Sequence, residues 1–175
     1  MSKLLYSATM SLDGFIAGPG GDMSWLAPHL ASGPEVDELM ASIGALLVGR
    51  RTFEGDDPNR GTEDEGAFSG QWHGPSFVLT HSPPEGGSHP DLTFFDALEP
   101  AVEAAKAAAG GRYVNVLGAD VARQCLEAGV LDEILVLVAP VLLGDGTRLF
   151  DWPGGRLTQL RPLPERGLGL WFAVE

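Results

Sequence analysis

The chain has 175 residues, with 24 acidic and 11 basic side chains and a formal net charge of −13. This length predicts a single domain over residues 1–175, and the negative charge disfavours nucleic acid and anionic membrane surfaces as partners. The sequence has one cysteine, no signal-peptide-like start and no apolar run long enough to span a bilayer. These features predict a cytoplasmic protein without a membrane span.

The first predicted elements are a strand at Lys3–Thr9 and an extended segment at Phe15–Ala17, separated by the turn signal Ser-Leu-Asp-Gly. A glycine-rich loop, Gly18–Asp22, follows and lacks the lysine and the spacing of a P-loop. This loop is interpreted either as a mobile flap over a ligand or as an ordinary connection. Trp25, just after it, would either cap a pocket or anchor the loop in the core.

An amphipathic helix is predicted to begin at Gly33-Pro34, because proline suits the first helical position. Its apolar face is formed by residues at helical spacing, namely Val36, Leu39, Met40 and Ile43. Glu35 and Asp37 lie at the two margins of this face, so either carboxylate is a candidate catalytic acid at a buried site. The alternative, favoured by residue type alone, is two solvated acids that complement the helix dipole.

A basic helix start follows the next predicted strand, Ala45–Val48. The strand ends at Gly49, and Arg50, Arg51 and Thr52 open the new helix. Helix N-termini carry unpaired N–H groups and partial positive charge, so the added guanidinium and hydroxyl groups make a candidate phosphate site. The alternative is that the arginines are surface side chains beside a tight turn.

A long polar stretch, Glu54–Gly74, separates this site from the next strand, and loops of such length are usually functional or disordered. The strand Ser76–Thr80 is terminated by the prolines of His81–Pro84. Thr80, His81 and Ser82 therefore lie at a strand's carboxyl end, where α/β sheets bind ligands. An exposed loop histidine is the alternative for His81.

The second half of the chain predicts a βαβ unit after a strand at Leu92–Phe95 and an alanine-rich helix. In this unit the strand Arg112–Leu117 is followed by the turn Gly118-Ala119, an N-cap at Asp120, the helix Val121–Ala128 and the strand Asp132–Ala139. The two strands should be parallel, and the second should be buried on both faces. The segments Leu157–Leu163 and Leu168–Val174 predict a closing antiparallel hairpin.

Several kinds of site are disfavoured by the residues present. The four histidines lack ligand spacing and one cysteine builds no structural zinc site, so no metal is expected. Neither a Gly-x-Ser-x-Gly elbow nor a Rossmann fingerprint is present. Two phosphate-compatible helix starts and the polar triplet remain, and these suit an extended dinucleotide better than a single phosphate.

Several ordered motifs carry a family resemblance across nearly the whole chain. They are Met10–Ala17, Gly49–Glu54, Val78–His81, Val116–Gly118, Ala122–Gln124, Leu131–Glu133 and Pro140–Leu149. The sequence resembles the dihydrofolate reductase-like family, in the branch that contains the C-terminal reductase domain of bifunctional riboflavin biosynthesis proteins and its stand-alone relatives. The resemblance implies a three-layer α/β fold with a mixed, mostly parallel central sheet flanked by helices, a C-terminal antiparallel hairpin, and NADPH as hydride donor.

By this resemblance, the cofactor phosphates would be held at Gly49, Arg50, Arg51 and Thr52. The 2′-phosphate would lie near Thr80, His81 and Ser82. The pyrophosphate would be cradled after the strand ending at Leu117, by Gly118, Ala119, Asp120, Val121 and Ala122. The nicotinamide would face Ala8, Thr9, Ile16 and Ala17.

The flap would be Gly18–Trp25, with Trp25 facing the substrate. Folate reductases carry an acid soon after this tryptophan, whereas here Trp25 is followed by Leu-Ala-Pro-His-Leu, which leaves Glu35 and Asp37 as the nearest substitutes. We therefore expect an NADPH-dependent oxidoreductase acting on a small pterin-like or 5-amino-6-ribosylaminouracil-like heterocycle, and the resemblance implies a homodimer. The alternative is a nucleotide-binding module of the same fold without turnover.

Overall fold

The fold is described from a computed structural model that covers residues 1–55, 57–59, 61–83 and 91–175. Part of the predicted Glu54–Gly74 loop, Pro84 of the predicted strand terminator and His89 lie outside these residues. No helix in the covered ranges is both long enough and apolar enough to cross a bilayer.

An eight-stranded mixed sheet organises the molecule. Its strands are β1 (Leu4–Ser11), β3 (Ile43–Gly49), β4 (Ser76–Leu79), β5 (Leu92–Phe95), β6 (Tyr113–Leu117), β7 (Glu133–Ala139), β9 (Leu160–Pro162) and β10 (Leu170–Val174). They lie in the order β5-β4-β3-β6-β1-β7-β10-β9. The six strands from β5 to β7 pair in parallel, whereas β10 pairs antiparallel with β7 and with β9. The predicted mixed, mostly parallel sheet and its closing hairpin are thus confirmed.

Helices cover both faces of this sheet. On one face, α3 (Leu98–Ala109) and α4 (Ala119–Glu127) pack against side chains such as Leu4, Tyr6 and Val116. On the other face, Leu39 of α1 (Pro34–Ser42) packs against a second group of strand residues that includes Leu5 and Leu46. A short helix, α2 (Arg50–Glu54), follows β3 directly.

A small second sheet joins the region after β1 to the region after β7. It pairs β2 (Phe15–Ala17) with β8 (Thr147–Arg148) in antiparallel fashion. The Asp13 carboxylate reinforces this junction by accepting hydrogen bonds from Ser11 Oγ at 2.6 Å and from the backbone N–H of Gly144 at 2.7 Å. The hydrogen bond from Ser11, together with backbone N–H donors, lowers the pKa of Asp13 to about 2.

Two local predictions are wrong in detail. The apolar periodicity extends the first helix to Ile43, but α1 ends at Ser42, and Ile43 begins β3 because its backbone is already extended and its side chain is fully buried in the sheet core. Asp120 is not the N-cap of α4. Gly118 occupies that position with φ 104° and ψ 134°, and Asp120 lies in the first turn.

The βαβ prediction is confirmed in orientation, and the structure adds a strand between its two members. Both β6 and β7 run parallel to β1, which is inserted between them. As predicted, β7 is buried on both faces from Glu133 to Val136, whereas Val138 is 42% exposed.

A carboxylate is buried at the amino end of β7. Glu133 is 1% exposed, and its side chain accepts hydrogen bonds of 2.8 Å from Lys3 Nζ, Tyr113 OH and Trp171 Nε1. Burial alone would raise the pKa of Glu133, but these hydrogen bonds and the Lys3 charge outweigh it and hold that pKa below its usual range. The carboxylate therefore remains ionised as a structural acceptor.

Candidate active site

A large cavity of about 1840 Å³ runs along the carboxyl ends of the parallel strands and down one face of the sheet. Its strand-end part is lined by residues that follow β3, β4 and β6. Its sheet-face part lies between strand residues such as Leu46 and Leu135 and the α1 residues Val36 and Met40. Small-molecule pockets usually measure about 300–1000 Å³, so this cavity has room for two ligands side by side.

The two predicted phosphate-compatible turns meet at the strand-end part of the cavity. A Cβ atom added to Gly118 would collide with Thr52 Oγ1, and one added to Gly49 would lie 2.9 Å from Val121 Cγ2. This close approach requires glycine at both strand ends, and it follows from the pairing of β3 with β6. The N-terminus of α4 and the Arg50–Thr52 segment therefore form one continuous polar surface.

The two arginines at this surface have different charged neighbours. Arg50 Nε donates a 2.9 Å hydrogen bond to Glu54 Oε2 in an exposed ion pair. Among the described residues, Arg51 has no ion pair, but its charge acts on Asp120. Burial raises the pKa of Asp120, whereas hydrogen bonds from Arg123 and Gln124 and the charges of Arg123 and Arg51 lower it below its usual range.

The triplet after β4 lies partly on the cavity wall. Thr80 is buried, and its Oγ1 accepts a 3.1 Å hydrogen bond from the backbone N–H of Ser82. Thr80 and His81 line the cavity, whereas Ser82 does not. The hydroxyl of Thr80 thus shapes the turn that presents His81.

Gly49, Arg50, Arg51 and Thr52 line this cavity. Most of the other residues predicted to bind the cofactor also line it, namely Ala8, Thr9, Ile16, Ala17, Leu117, Gly118, Ala119, Asp120 and Val121. Ala122 does not, because it is fully buried and its backbone N–H donates to the carbonyl of Gly118 within α4.

The flap residues Gly18–Gly21 and Met23 line the cavity, but Trp25 does not. Trp25 lies in the 3₁₀ turn Ser24–His29, with its ring centroid 6.5 Å from that of His29. Its role toward the substrate stays a prediction.

The two candidate carboxylates differ in position. Both Glu35 and Asp37 are exposed in the first turn of α1. Asp37 lines the cavity and Glu35 does not. The geometry thus separates two acids that helical periodicity left equivalent.

Two polar residues at the sheet-face part of the cavity were not predicted from the sequence, Ser7 of β1 and Asn115 of β6. Their side chains are joined by a 2.8 Å hydrogen bond from Ser7 Oγ to Asn115 Oδ1. The asparagine within the apolar run Tyr-Val-Asn-Val-Leu was the available signal, because a strand buried on both faces rarely carries an amide.

The residues present fit a dinucleotide. We call the space between Gly49 and Gly118 the cradle, and a side chain at either position would fill it. The cradle lies beside the N-terminal N–H groups of α4 and the guanidinium of Arg51. Backbone N–H groups at a helix start, together with arginine, are the donors that phosphate prefers. The cavity continues from this cradle to Ala8 and Ile16, which leaves room for a further ring.

The sheet order, the helices on both faces and the position of the cavity define a dihydrofolate reductase-like α/β protein. The chain belongs to the RibD C-terminal domain family, whose family model matches residues 2–164. A search of curated protein sequences found no significant match.

Solved structures with the same fold have low sequence identity to the chain. A protein from Shewanella sp. PV-4 assigned to riboflavin biosynthesis is 20% identical, with a TM-score of 0.69, covering 100% of this chain and 99% of the other. The Thermotoga maritima diaminohydroxyphosphoribosylaminopyrimidine deaminase/5-amino-6-(5-phosphoribosylamino)uracil reductase is 16% identical, with a TM-score of 0.55, covering 99% of this chain and 55% of that chain. The chain thus spans about half of that protein.

The Enterococcus faecalis dihydrofolate reductase, solved with NADP(H) and an added compound, is 17% identical. Its TM-score is 0.55, covering 98% of this chain and 94% of the other. These likenesses establish the fold.

Proposed function

We propose that the chain is an NADPH-dependent reductase that transfers hydride to a C=N or C=O bond of a small pterin-like or 5-amino-6-ribosylaminouracil-like heterocycle. The main supporting observation is the convergence of three polar strand ends on one cavity, at Gly49–Thr52, Thr80-His81 and Gly118–Val121. Family membership and the reductases among proteins of the same fold support this assignment.

Each part of the cavity has a role in this proposal. Arg51, Thr52 and the N-terminus of α4 bind the phosphates, and His81 lies by the 2′-phosphate of the adenosine. Ala8 and Thr9, with Ile16 and Ala17, bound the nicotinamide. When bound, the cofactor supplies hydride, and the surrounding side chains orient the two reactants and exclude water.

The substrate occupies the sheet-face part of the cavity between β6 and α1. Among the described residues that line the cavity, the arginines are Arg50 and Arg51, and both lie at the phosphate-binding strand end. Acidic side chains, including Asp37, Asp57 and Glu65, line other parts. This charge distribution favours an uncharged heterocycle over a phosphorylated one.

The direct test is fluorescence titration with NADPH, followed by an assay of NADPH oxidation with pteridine and aminopyrimidine substrates. We expect micromolar binding, and we expect Arg51→Ala to weaken it about 10- to 100-fold, since hydrogen bonds to charged groups contribute about 1.5–3 kcal/mol. Arg112→Ala is the matched control, because Arg112 is exposed near the amino end of β6, away from the cavity. Absence of NADPH binding would contradict the proposal, and equal effects of the two variants would refute the role of Arg51.

Protonation of the reduced atom is assigned to Asp37 or to water held beside it. We expect Asp37→Asn to lower the rate of NADPH oxidation about 10²- to 10⁴-fold if the carboxyl group transfers the proton directly. Glu35→Gln changes a neighbouring exposed acid off the cavity wall and should leave the rate unchanged. Steady-state kinetics of both variants over pH 5–9 make the comparison; an unchanged rate in Asp37→Asn would assign the proton to water alone.

A nucleotide-binding module without turnover is the second candidate. It is favoured by the lack of an acid in Leu26–Leu30, directly after Trp25. NADPH binding with no oxidation by any pteridine or pyrimidine would select this function, whereas steady turnover would exclude it.

A further inference from the structure

An unsatisfied amide lies in the wall of the cavity. The Asn115 side chain is fully buried, and its Nδ2 has no hydrogen-bond partner among the described residues. In the sheet its neighbours are Leu46 of β3 and Leu5 of β1, so its surroundings are largely aliphatic. Buried side-chain donors without partners are rare and destabilising, and this one requires an explanation.

Ser7 determines how this amide is presented. Its Oγ donates its only hydrogen to Asn115 Oδ1 at 2.8 Å, and Ser7 is half-buried on the same cavity wall. The Ser7 oxygen keeps its lone pairs as acceptors, while Asn115 Nδ2 keeps two hydrogens as donors. The pair thus places an acceptor beside an unpaired donor on this face of the sheet.

An acceptor beside a donor is complementary to a cyclic amide edge, in which a ring carbonyl is adjacent to a ring N–H. We propose that Ser7 and Asn115 recognise this edge of the substrate, with the carbonyl oxygen accepting from Asn115 Nδ2 and the ring N–H donating to Ser7 Oγ. The inference rests on the proposed function and assigns the residues that distinguish its oxo-heterocyclic substrates from amino-substituted rings. A ring that carries an amino group in place of the carbonyl would set donor against donor and would be rejected.

The test is calorimetric titration of the full chain saturated with NADP⁺, using two matched pairs of rings. Pterin is compared with 2,4-diaminopteridine, and 5,6-diaminouracil with 2,4,5,6-tetraaminopyrimidine, because each second member replaces carbonyl oxygens with amino groups. We expect the oxo member of at least one pair to bind at least about tenfold more tightly, since a site built to hydrogen-bond a group rejects analogues that lack it. Asn115→Leu and Ser7→Ala should abolish this preference.

Thermal unfolding of the same variants separates recognition from structural support. Because Asn115→Leu removes an unpaired buried donor, we expect its unfolding midpoint to equal or exceed that of the unchanged chain. Val116→Ala is the control, since Val116 is buried on the opposite face of the same strand. It should lower the midpoint and leave the ring preference unchanged.

The outcomes distinguish this inference from the proposed function. If NADPH binds but no ring of either pair binds, or the two members of each pair bind equally, the Ser7–Asn115 assignment is overturned while cofactor binding stands. A ring preference that survives Asn115→Leu and Ser7→Ala also overturns it. Failure of NADPH to bind contradicts the proposed function. In that case, titration of the same ring pairs without NADP⁺ still tests the roles of Ser7 and Asn115.

Discussion

Replacing Gly118 with alanine should weaken NADPH binding about 100-fold and destabilise the fold. The new Cβ would collide with Thr52 Oγ1, and the backbone at Gly118 has φ 104°, a conformation that residues with a side chain rarely adopt. Strained backbone of this kind costs about 1–3 kcal/mol, and relief requires the start of α4 to move away from Thr52. Since the proposed phosphate cradle is formed by this junction, both fluorescence titration and thermal unfolding should register the change.

Gly129→Ala is the matched control for Gly118→Ala. Gly129 also has positive φ, at 68°, but an added Cβ there would meet no atom within 4 Å, and the residue is not on the cavity wall. It should lose stability while keeping NADPH affinity. In a Gly118→Ala background, Thr52→Ala should restore part of the lost stability by removing the colliding oxygen; equal affinity in Gly118→Ala and the unchanged chain would contradict the cradle.

Replacing Glu133 with alanine should lower the free energy of unfolding by about 3–5 kcal/mol, the usual effect of removing one partner from a buried ionic network. The change would leave Trp171 Nε1 and Tyr113 OH without their acceptor, and Trp171 is itself buried. For a chain of this size the loss corresponds to an unfolding midpoint lower by roughly 10 °C. Chemical denaturation at neutral pH measures it.

The same network predicts the pH dependence of stability. The pKa of Glu133 is lower in the folded state than the value of about 4.3 expected for an unfolded chain. A depressed folded pKa contributes stability that is present above the unfolded value and is lost as pH falls through the folded value. Stability should therefore decline below about pH 4.3, and part of that decline should be missing in Glu133→Gln.

Glu127→Ala controls for the loss of one negative charge. Glu127 pairs with Arg123 at 2.6 Å on the surface of α4, and its side chain is 52% exposed. An exposed pair of this type contributes about 0.2–1 kcal/mol. If Glu133→Ala cost no more than Glu127→Ala, the buried network would have no special part in stability.

Local sequence patterns were sufficient to predict most of the helices and strands. The strands at Leu92–Phe95 and Tyr113–Leu117 and the glycine-ended α3 follow from apolar runs and turn residues that act over short distances. For the same reason the polar segments after β3, β4 and β6 could be recognised as strand ends. The prediction that Asp120 is the N-cap of α4 was wrong. The preference for aspartate at N-caps is local, whereas the helix start is set by Gly118, whose geometry is required by its contact with Thr52, a residue distant in sequence.

The sequence by itself determined the order of strands and helices and the presence of phosphate-compatible residues at strand ends. Only the tertiary structure decided that β3 pairs with β6, which brings Gly49 and Gly118 into one cradle. It also inserted β1 between β6 and β7, and so placed Ser7 beside Asn115. These pairings join residues from about 70 positions apart (β3 with β6) to 128 positions apart (β1 with β7). A pattern that repeats every two or four residues carries no information about such distant neighbours.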